Sequence, residues 1–330
     1  MTRCLVTGGA GFIGSHLVDA LLAAGHDVRV LDNFSTGDRR NLMAVAGDIE
    51  VVEGDLRSYE RAFTATRGCE VVFHQAALPS VPRSVADPLT TSAVNVTGTL
   101  NVLLAARDAG TRRVVYASSS SVYGSNSTDV KREDLPVNPL SPYGVSKHAA
   151  EGYCVSFSRV YGLESVSLRY FNVFGPRQNP ISEYAAVIPN VFSAALLGED
   201  AIVFGDGNQC RDFTFVDDVV AAALIAAEAP EASGEVFNIG RGERTSVNGL
   251  IGLVSEITGK PIALRYLPWR PGETRVSVAD ITKAVSILGY RPRVSVKEGL
   301  ARVYEDLLAD ASLVSRIHER RKWVTMREPE

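Results

Sequence analysis

The sequence predicts an α/β chain: a doubly wound parallel sheet, joined by a smaller mixed α/β region. Three observations carry this. Short apolar runs alternate with longer helical patterns over the first half. A glycine turn, TGGAGFIGSH (Thr7 to His16), lies between the first apolar run and the first helical one. The informative polar residues of that half (Gly8, Asp32, Asp55, Gln75 and Ser118 to Ser121) all fall at the carboxyl ends of apolar runs, where open parallel sheets bind their ligands.

In chain order, strands are expected in RCLVT, DVRVLD, IEVVEGD, EVVFHQAA and RRVVYASS. Helices are expected at Phe12–Ala24, Arg57–Arg67 and Asn95–Ala109. After Tyr170 the pattern loosens: FNVFGPRQNP is turn-rich and AAVIPNVFSAALLG reads as a short helix. DFTFVDDVVAAALIAAEA and EVFNIG regain strand and helix character and are expected to rejoin the first sheet. Residues 1–171 with about 214–240 are expected to form the part built on this sheet. Residues of about 172–213 with 241–330 form the second part, which caps the cleft.

The chain has 330 residues, 45 % of them hydrophobic, enough for a large core. Its formal charge of −4 is spread along the chain without a basic block, so no nucleic-acid partner is expected. No signal peptide fits before the first strand, and no apolar run approaches the roughly 20 residues that span a bilayer. The four cysteines (Cys4, Cys69, Cys154 and Cys210) lie far apart, which suits free thiols in a reducing cytoplasm better than a disulfide framework or a metal site.

The glycine turn has a mechanism. Gly8 permits a tight turn, Gly11 lets the backbone approach a pyrophosphate, and Gly14 lets the helix lie close on the sheet. The exposed N–H groups and positive helix end then hold phosphates. Asp32 ends the second apolar run about twenty residues on. Its carboxylate accepts hydrogen bonds from both ribose hydroxyls and repels a 2′-phosphate, which favours NAD over NADP. Further along, Tyr143 and Lys147 in SPYGVSKHAAEGY are four apart and share a helix face. They follow the serine run YASSSSVYG by about twenty-five residues.

Taken in order, TGGAGFIGSH, HQAA, SSSSVYG, SPYGVSK, LRYFNVFGP and RDFTFVDD resemble the extended short-chain dehydrogenase/reductase family, over about Arg3 to Leu308. The likeness is to its nucleotide-sugar 4-epimerases, and among these to the UDP-N-acetylglucosamine branch. The resemblance implies a Rossmann fold and a catalytic set of Ser119, Tyr143 and Lys147. Tyr143 would act as base, its phenol made acidic by the Lys147 ammonium and a positive nicotinamide ring. It also implies that Phe12, Ile13, Asn33, Phe34, Ser35, Asp55, Leu56, Gln75, Ala76, Ala77, Asn95 and Tyr170 contribute to the cofactor site. For Asp55 the competing reading is a helix N-cap.

On the substrate side, Arg211 and Arg270 match arginines that hold a diphosphate, and Asn172 one that bonds phosphate or sugar. Ala186 and Val187 match the uridine end. Ser80, Arg83, Ser119, Ser121 and Ser277 are placed near the sugar. Related 4,6-dehydratases carry Asp-Glu where this chain has Ser120-Ser121, so 4-epimerisation is the implied reaction. Ser277 stands where glucose-restricted enzymes tend to carry tyrosine, which leaves room for an N-acetyl group and points to UDP-GlcNAc/UDP-GalNAc, with UDP-Glc/UDP-Gal as further substrates. UDP-glucuronate 4-epimerisation and a non-catalytic NAD sensor stay open at this level. The helical segments at about Pro88–Ala109 and Pro142–Tyr161 imply a homodimer built through a four-helix bundle.

Overall fold

A computed structural model describes residues 1–179, 187–269 and 274–310. The first half runs β1 (Arg3–Thr7), α1 (Phe12–Ala23), β2 (Asp27–Asp32), β3 (Ile49–Glu53), α2 (Tyr59–Thr66), β4 (Val71–His74), α3 (Val81–Ala86), α4 (Pro88–Ser92), α5 (Gly98–Asp108) and β5 (Arg113–Ser119). It continues through β6 (Val130–Lys131), α6 (Pro142–Tyr161), β7 (Glu164–Tyr170) and β8 (Val173–Phe174). The second half contains α7 (Val187–Leu197), β9 (Ala201–Phe204), β10 (Cys210–Arg211), β11 (Thr214–Phe215), α8 (Val216–Glu228) and β12 (Val236–Ile239). It ends with β13 (Thr245–Ser246), α9 (Val247–Thr258), β14 (Leu264–Leu267), β15 (Val276–Ala279) and α10 (Val296–Ala309).

Seven strands form one parallel sheet in the order β12-β7-β5-β4-β1-β2-β3. The order reverses beside β1, and the glycine turn leaves the sheet at that switch point. Successive side chains of a strand face opposite layers, and both layers are filled. Cys4 and Val6 pack with α1 and α8 on one side, whereas Leu5 packs with α2, α5 and α6 on the other. The first core continues into α9 and α10 through Leu250, Val254 and Leu300, so the second half is welded to one face of the sheet.

The structure departs from the expected organisation in three places. Thr214–Phe215 does not join the main sheet but pairs with Val173–Phe174; its helix α8, not its strand, covers the sheet. A two-residue strand is too short to expose a periodicity. Val130–Lys131 pairs with β15, so a piece of the first half belongs to the four-stranded sheet β13-β10-β15-β6. The run Pro88–Asp108 is continuous helix and, by length and composition alone, long and apolar enough to cross a bilayer. Its Val102, Leu103, Ala105 and Ala106 are buried against α2, β4 and β5, as expected of a core helix.

Candidate active site

The end of β1 is built around backbone contact. Gly8 has φ +70°, and a Cβ there would lie 2.7 Å from Ala76 Cα. A Cβ on Gly14 would fall 2.1 Å from the Gly8 carbonyl, so this glycine brings the helix onto the turn itself. Gly11 is the N-cap of α1, without a side chain to cover the helix end. Phe12 and Ile13 open that helix, half-buried against the core. The result is a bare helix N-terminus at the switch point, shaped for a pyrophosphate.

Asp32, 8 % exposed, closes one side. Its Oδ2 accepts from Ala10 N (3.0 Å) and its Oδ1 from Phe34 N (2.8 Å). Burial pushes this carboxyl up, while those N–H groups oppose the shift. The turn after β2 puts Phe34 at φ 55°, with the Arg39 guanidinium 3.7 Å from the ring centroid. Asn33 accepts from Ser35 N (3.0 Å) and donates to Asp55 Oδ2 (3.0 Å). Asp55 is held at about 2, chiefly by hydrogen bonds from Arg57. It does not cap α2; Ser58 does. Leu56 is buried beneath it, and its carbonyl accepts from Asn101 Nδ2 (2.8 Å).

Beneath the opposite wall lies His74, fully buried at the end of β4. Thr99 donates to Asn95 O (2.6 Å), so its hydroxyl accepts from His74 Nε2 (2.9 Å). Nδ1 then accepts from Thr7 Oγ1 (2.7 Å), which itself accepts from Ala76 N (3.3 Å). Desolvation, with Lys147 nearby, pushes His74 down to about 3. Asn95 clasps Leu78 through both its N–H (2.8 Å) and its carbonyl (3.3 Å) and donates to Ser146 Oγ (3.0 Å). The segment Gln75 to Leu78 is thus fixed to both the glycine turn and α6. Gln75 Nε2 donates to Tyr170 Oη (3.4 Å), while its buried Oε1 has no partner among the described residues. The bare helix end, the carboxylate at β2 and this unmatched oxygen fit a dinucleotide.

Helix α6 starts at Ser141, whose hydroxyl accepts from Gly144 N (3.1 Å), with Pro142 at its first position. Tyr143 N donates to Ser84 Oγ (3.0 Å), tying the helix to α3. Lys147, 3 % exposed, donates through Nζ to Ala117 O (2.7 Å) at the end of β5. Two residues on, Ser119 Oγ lies 2.6 Å from Ser121 Oγ and accepts from Ser121 N (3.2 Å). The Ser119 hydroxyl also works against the burial-driven rise of the Tyr143 phenol.

Burial pushes the Tyr143 phenol up, and Ser119 only partly opposes it. The same dry surroundings push Lys147 down to about 7. Low dielectric penalises both charges, so the side chains by themselves do not hold the phenol low.

The match to known proteins decides the family. Residues 4–240 match the model of the NAD dependent epimerase/dehydratase family. A UDP-glucose 4-epimerase of Mycolicibacterium smegmatis is 43 % identical over 312 residues, 92 % of this chain and 97 % of that one. The chain belongs to the NAD dependent epimerase/dehydratase family. Two solved members show the same architecture. The UDP-glucose 4-epimerase of Thermotoga maritima, with UDP-glucose, superposes with TM-score 0.88 at 40 % identity, covering 93 % of this chain and 99 % of that one. A UDP-N-acetylglucosamine 4-epimerase of Methanobrevibacter ruminantium, in complex with UDP-N-acetylmuramic acid, gives 0.89 at 37 %, covering 93 % and 98 %.

In this member of the epimerase/dehydratase family the second half brings Arg211 and Ser277 together, as register partners of β10 and β15. Arg211 Nη1 donates to Cys210 O (2.9 Å). Asn172 has φ 30° and donates to Asp212 O (3.0 Å), which anchors its side chain beside β10. Ser80 caps α3 and accepts from Arg83 N (3.2 Å), so Arg83 stands in a helix. Val187 opens α7; Ala186 and Arg270 lie outside the described residues.

Sequence reasoning missed His74 as the link between glycine turn and helix, although it stands in HQAA. It also missed Glu151 and Arg169, a buried ion pair (2.6 Å) behind the serine turn. Charged residues with helical or strand spacing read as solvated faces until the fold shows what covers them.

Proposed function

We propose that this protein is a UDP-sugar 4-epimerase that interconverts UDP-GlcNAc and UDP-GalNAc and also accepts UDP-Glc and UDP-Gal. The observation that carries the reading is the serine turn: Ser119 bonds Ser121 and acts on the Tyr143 phenol, and no acid stands among Ser119 to Tyr123 to drive elimination. Family membership and its UDP-hexose-epimerising relatives support it.

When bound, NAD supplies the acceptor, and later the donor, of hydride at sugar C4. Tyr143 takes the 4-hydroxyl proton, leaving a C4 ketone, and gives it back once the sugar has turned its other face. Ser119 holds that oxygen and shares the proton. Lys147 is fixed on Ala117 O one turn beyond Tyr143; when protonated, its charge together with that of a bound nicotinamide would offset the burial that raises the phenol. Gly8, Gly11, Gly14, Asp32, Asn33 and Asp55 hold the dinucleotide.

Arg211 grips the diphosphate, with Asn172 beside it, and the motif assigns Arg270 the same task. Ser277, small and next to Arg211, leaves space for a 2-acetamido group. The substrate-binding part is drawn from about 172–213 and 241 onward, with Val130–Lys131 added.

The exposed apolar residues Leu89 of α4 and Val145, Tyr153 and Val160 of α6 form the face for a second copy. An added Cβ at Gly152, between them on α6, meets nothing within 4 Å. Charge-poor helix faces of this kind pair in isologous dimers. Four free thiols, three of them buried, fit a cytoplasmic protein.

The test is incubation with UDP-GlcNAc, UDP-Glc and UDP-glucuronate separately, followed by NMR of C4 configuration. Inversion of UDP-GlcNAc with the higher kcat/KM supports the reading. Preference for UDP-glucuronate moves the protein to the uronate epimerases, and inversion of none leaves an NAD-binding sensor.

A further inference from the structure

A chain of buried polar groups runs from the catalytic strand to the substrate half. Ser118, the residue before Ser119, donates to Glu151 Oε2 (2.8 Å). Glu151 lies one helical turn beyond Lys147 on α6 and grips Arg169 through Nε (3.0 Å) and Nη2 (2.6 Å). Both side chains are 5 % exposed. Arg169 Nη1 donates to Tyr123 Oη (2.9 Å), and Tyr123 donates to Asn238 Oδ1 (2.7 Å). Asn238, itself fully buried, donates from Nδ2 to Lys131 O (2.8 Å) and Asp280 O (3.2 Å). Those two carbonyls belong to β6 and to the residue following β15, the strand that carries Ser277.

The donors and acceptors leave no slack. Asn238 uses both amide hydrogens on main-chain carbonyls, so its oxygen must accept, and Tyr123 is the donor that meets it. Burial pushes the Tyr123 phenol up to about 12, which keeps that donor proton in place. Arg169 stays charged because Glu151 and Tyr123 face it.

We propose that Tyr123 is a positioning residue, the hub of this relay, which sets Ser119, Tyr143 and Lys147 at a fixed distance from the strand carrying Ser277. The inference rests on the 4-epimerase reading. Epimerisation makes one unusual demand: the same Tyr143 and Ser119 must serve the sugar in two orientations. The nucleotide end stays anchored on the substrate half, while oxidation and return both occur at the sheet edge. A small change in spacing between the halves therefore strikes alignment in the chemical steps more than binding. The relay is a buried polar path of side chains that reaches the far strands through two main-chain carbonyls. Removing its centre loosens spacing and leaves every substrate contact present.

Tyr123→Phe keeps the ring and the Glu151–Arg169 pair and deletes the one hydroxyl that joins Arg169 to Asn238. A matched control exists in Tyr290→Phe. Tyr290 is also fully buried, and its hydroxyl donates to Gly240 O (3.0 Å), outside the relay. Both variants are purified and measured for kcat and KM with UDP-GlcNAc, for reduced-nicotinamide absorbance during turnover, and for thermal midpoint. Tyr123→Phe is expected to lower kcat about tenfold with KM within about twofold, and to leave a larger share of sites reduced because the ketone is returned less often. Ser118→Ala, at the other end of the relay, is expected to act in the same direction and less than additively with it. Tyr290→Phe is expected to lower the thermal midpoint comparably with kcat unchanged. Equal kcat in the two tyrosine variants overturns the relay while the epimerase reading stands. A wild-type protein that inverts no UDP-sugar overturns both.

Discussion

Arg211 and Ser277 are register partners across the parallel pair of β10 and β15, so their side chains leave the same face of one sheet. On the proposed reading, a diphosphate held by Arg211 would start the sugar beside Ser277. Ser277→Tyr is expected to lower kcat/KM for UDP-GlcNAc by about tenfold or more, with UDP-Glc nearly unaffected, because a ring there overlaps the acetamido group. Kinetics with both substrates checks this; equal effects on the two would remove Ser277 from substrate choice.

Tyr143 meets Ser119 in a dry site that disfavours its ionised form. Tyr143→Phe keeps the ring and removes the proton carrier. Turnover is expected to fall by roughly 10² to 10⁴, while NAD binding, read by fluorescence titration, is retained.

His74 is held neutral, at about 3 in the folded chain against 6.5 for a free imidazole. The unfolded chain therefore binds the extra proton between those values. The stability tied to this group is complete above pH 6.5 and is lost as pH falls towards 3, with a slope of up to about 1.4 kcal/mol per pH unit. Thermal unfolding from pH 7 to 5 is expected to show a steeper decline for wild type than for His74→Gln, which carries no titrating ring.

On the proposed dimer face, Leu89 is 82 % and Val160 68 % exposed. Leu89→Glu with Val160→Glu puts like charges on both copies and is expected to halve the mass measured by light scattering, with the far-UV spectrum unchanged. A wild-type mass of one chain would dispose of the dimer.

Much of this was legible in the sequence because buried parallel strands read as unbroken apolar runs, as in Val71 to Phe73 and Val114 to Tyr116. The glycine turn and the Tyr143–Lys147 spacing were legible because local geometry fixes both. Val130–Lys131 was not, since two residues carry no period and their partner lies far along the chain. The Glu151–Arg169 pair was hidden for the opposite reason: its spacing is regular, and the polarity of its residues suggests water where the fold supplies none. The upward push of burial on Tyr143 was not legible, because desolvation depends on what surrounds a residue, which no motif displays.

The account turns on hydride leaving C4 and returning to the same carbon. The direct measurement is conversion of a UDP-hexose deuterated at C4, with no cofactor added beyond what the purified protein carries. The account predicts the C4-inverted sugar with its deuterium retained. Inversion with loss of deuterium to solvent, or no inversion by protein loaded with NAD, would contradict it.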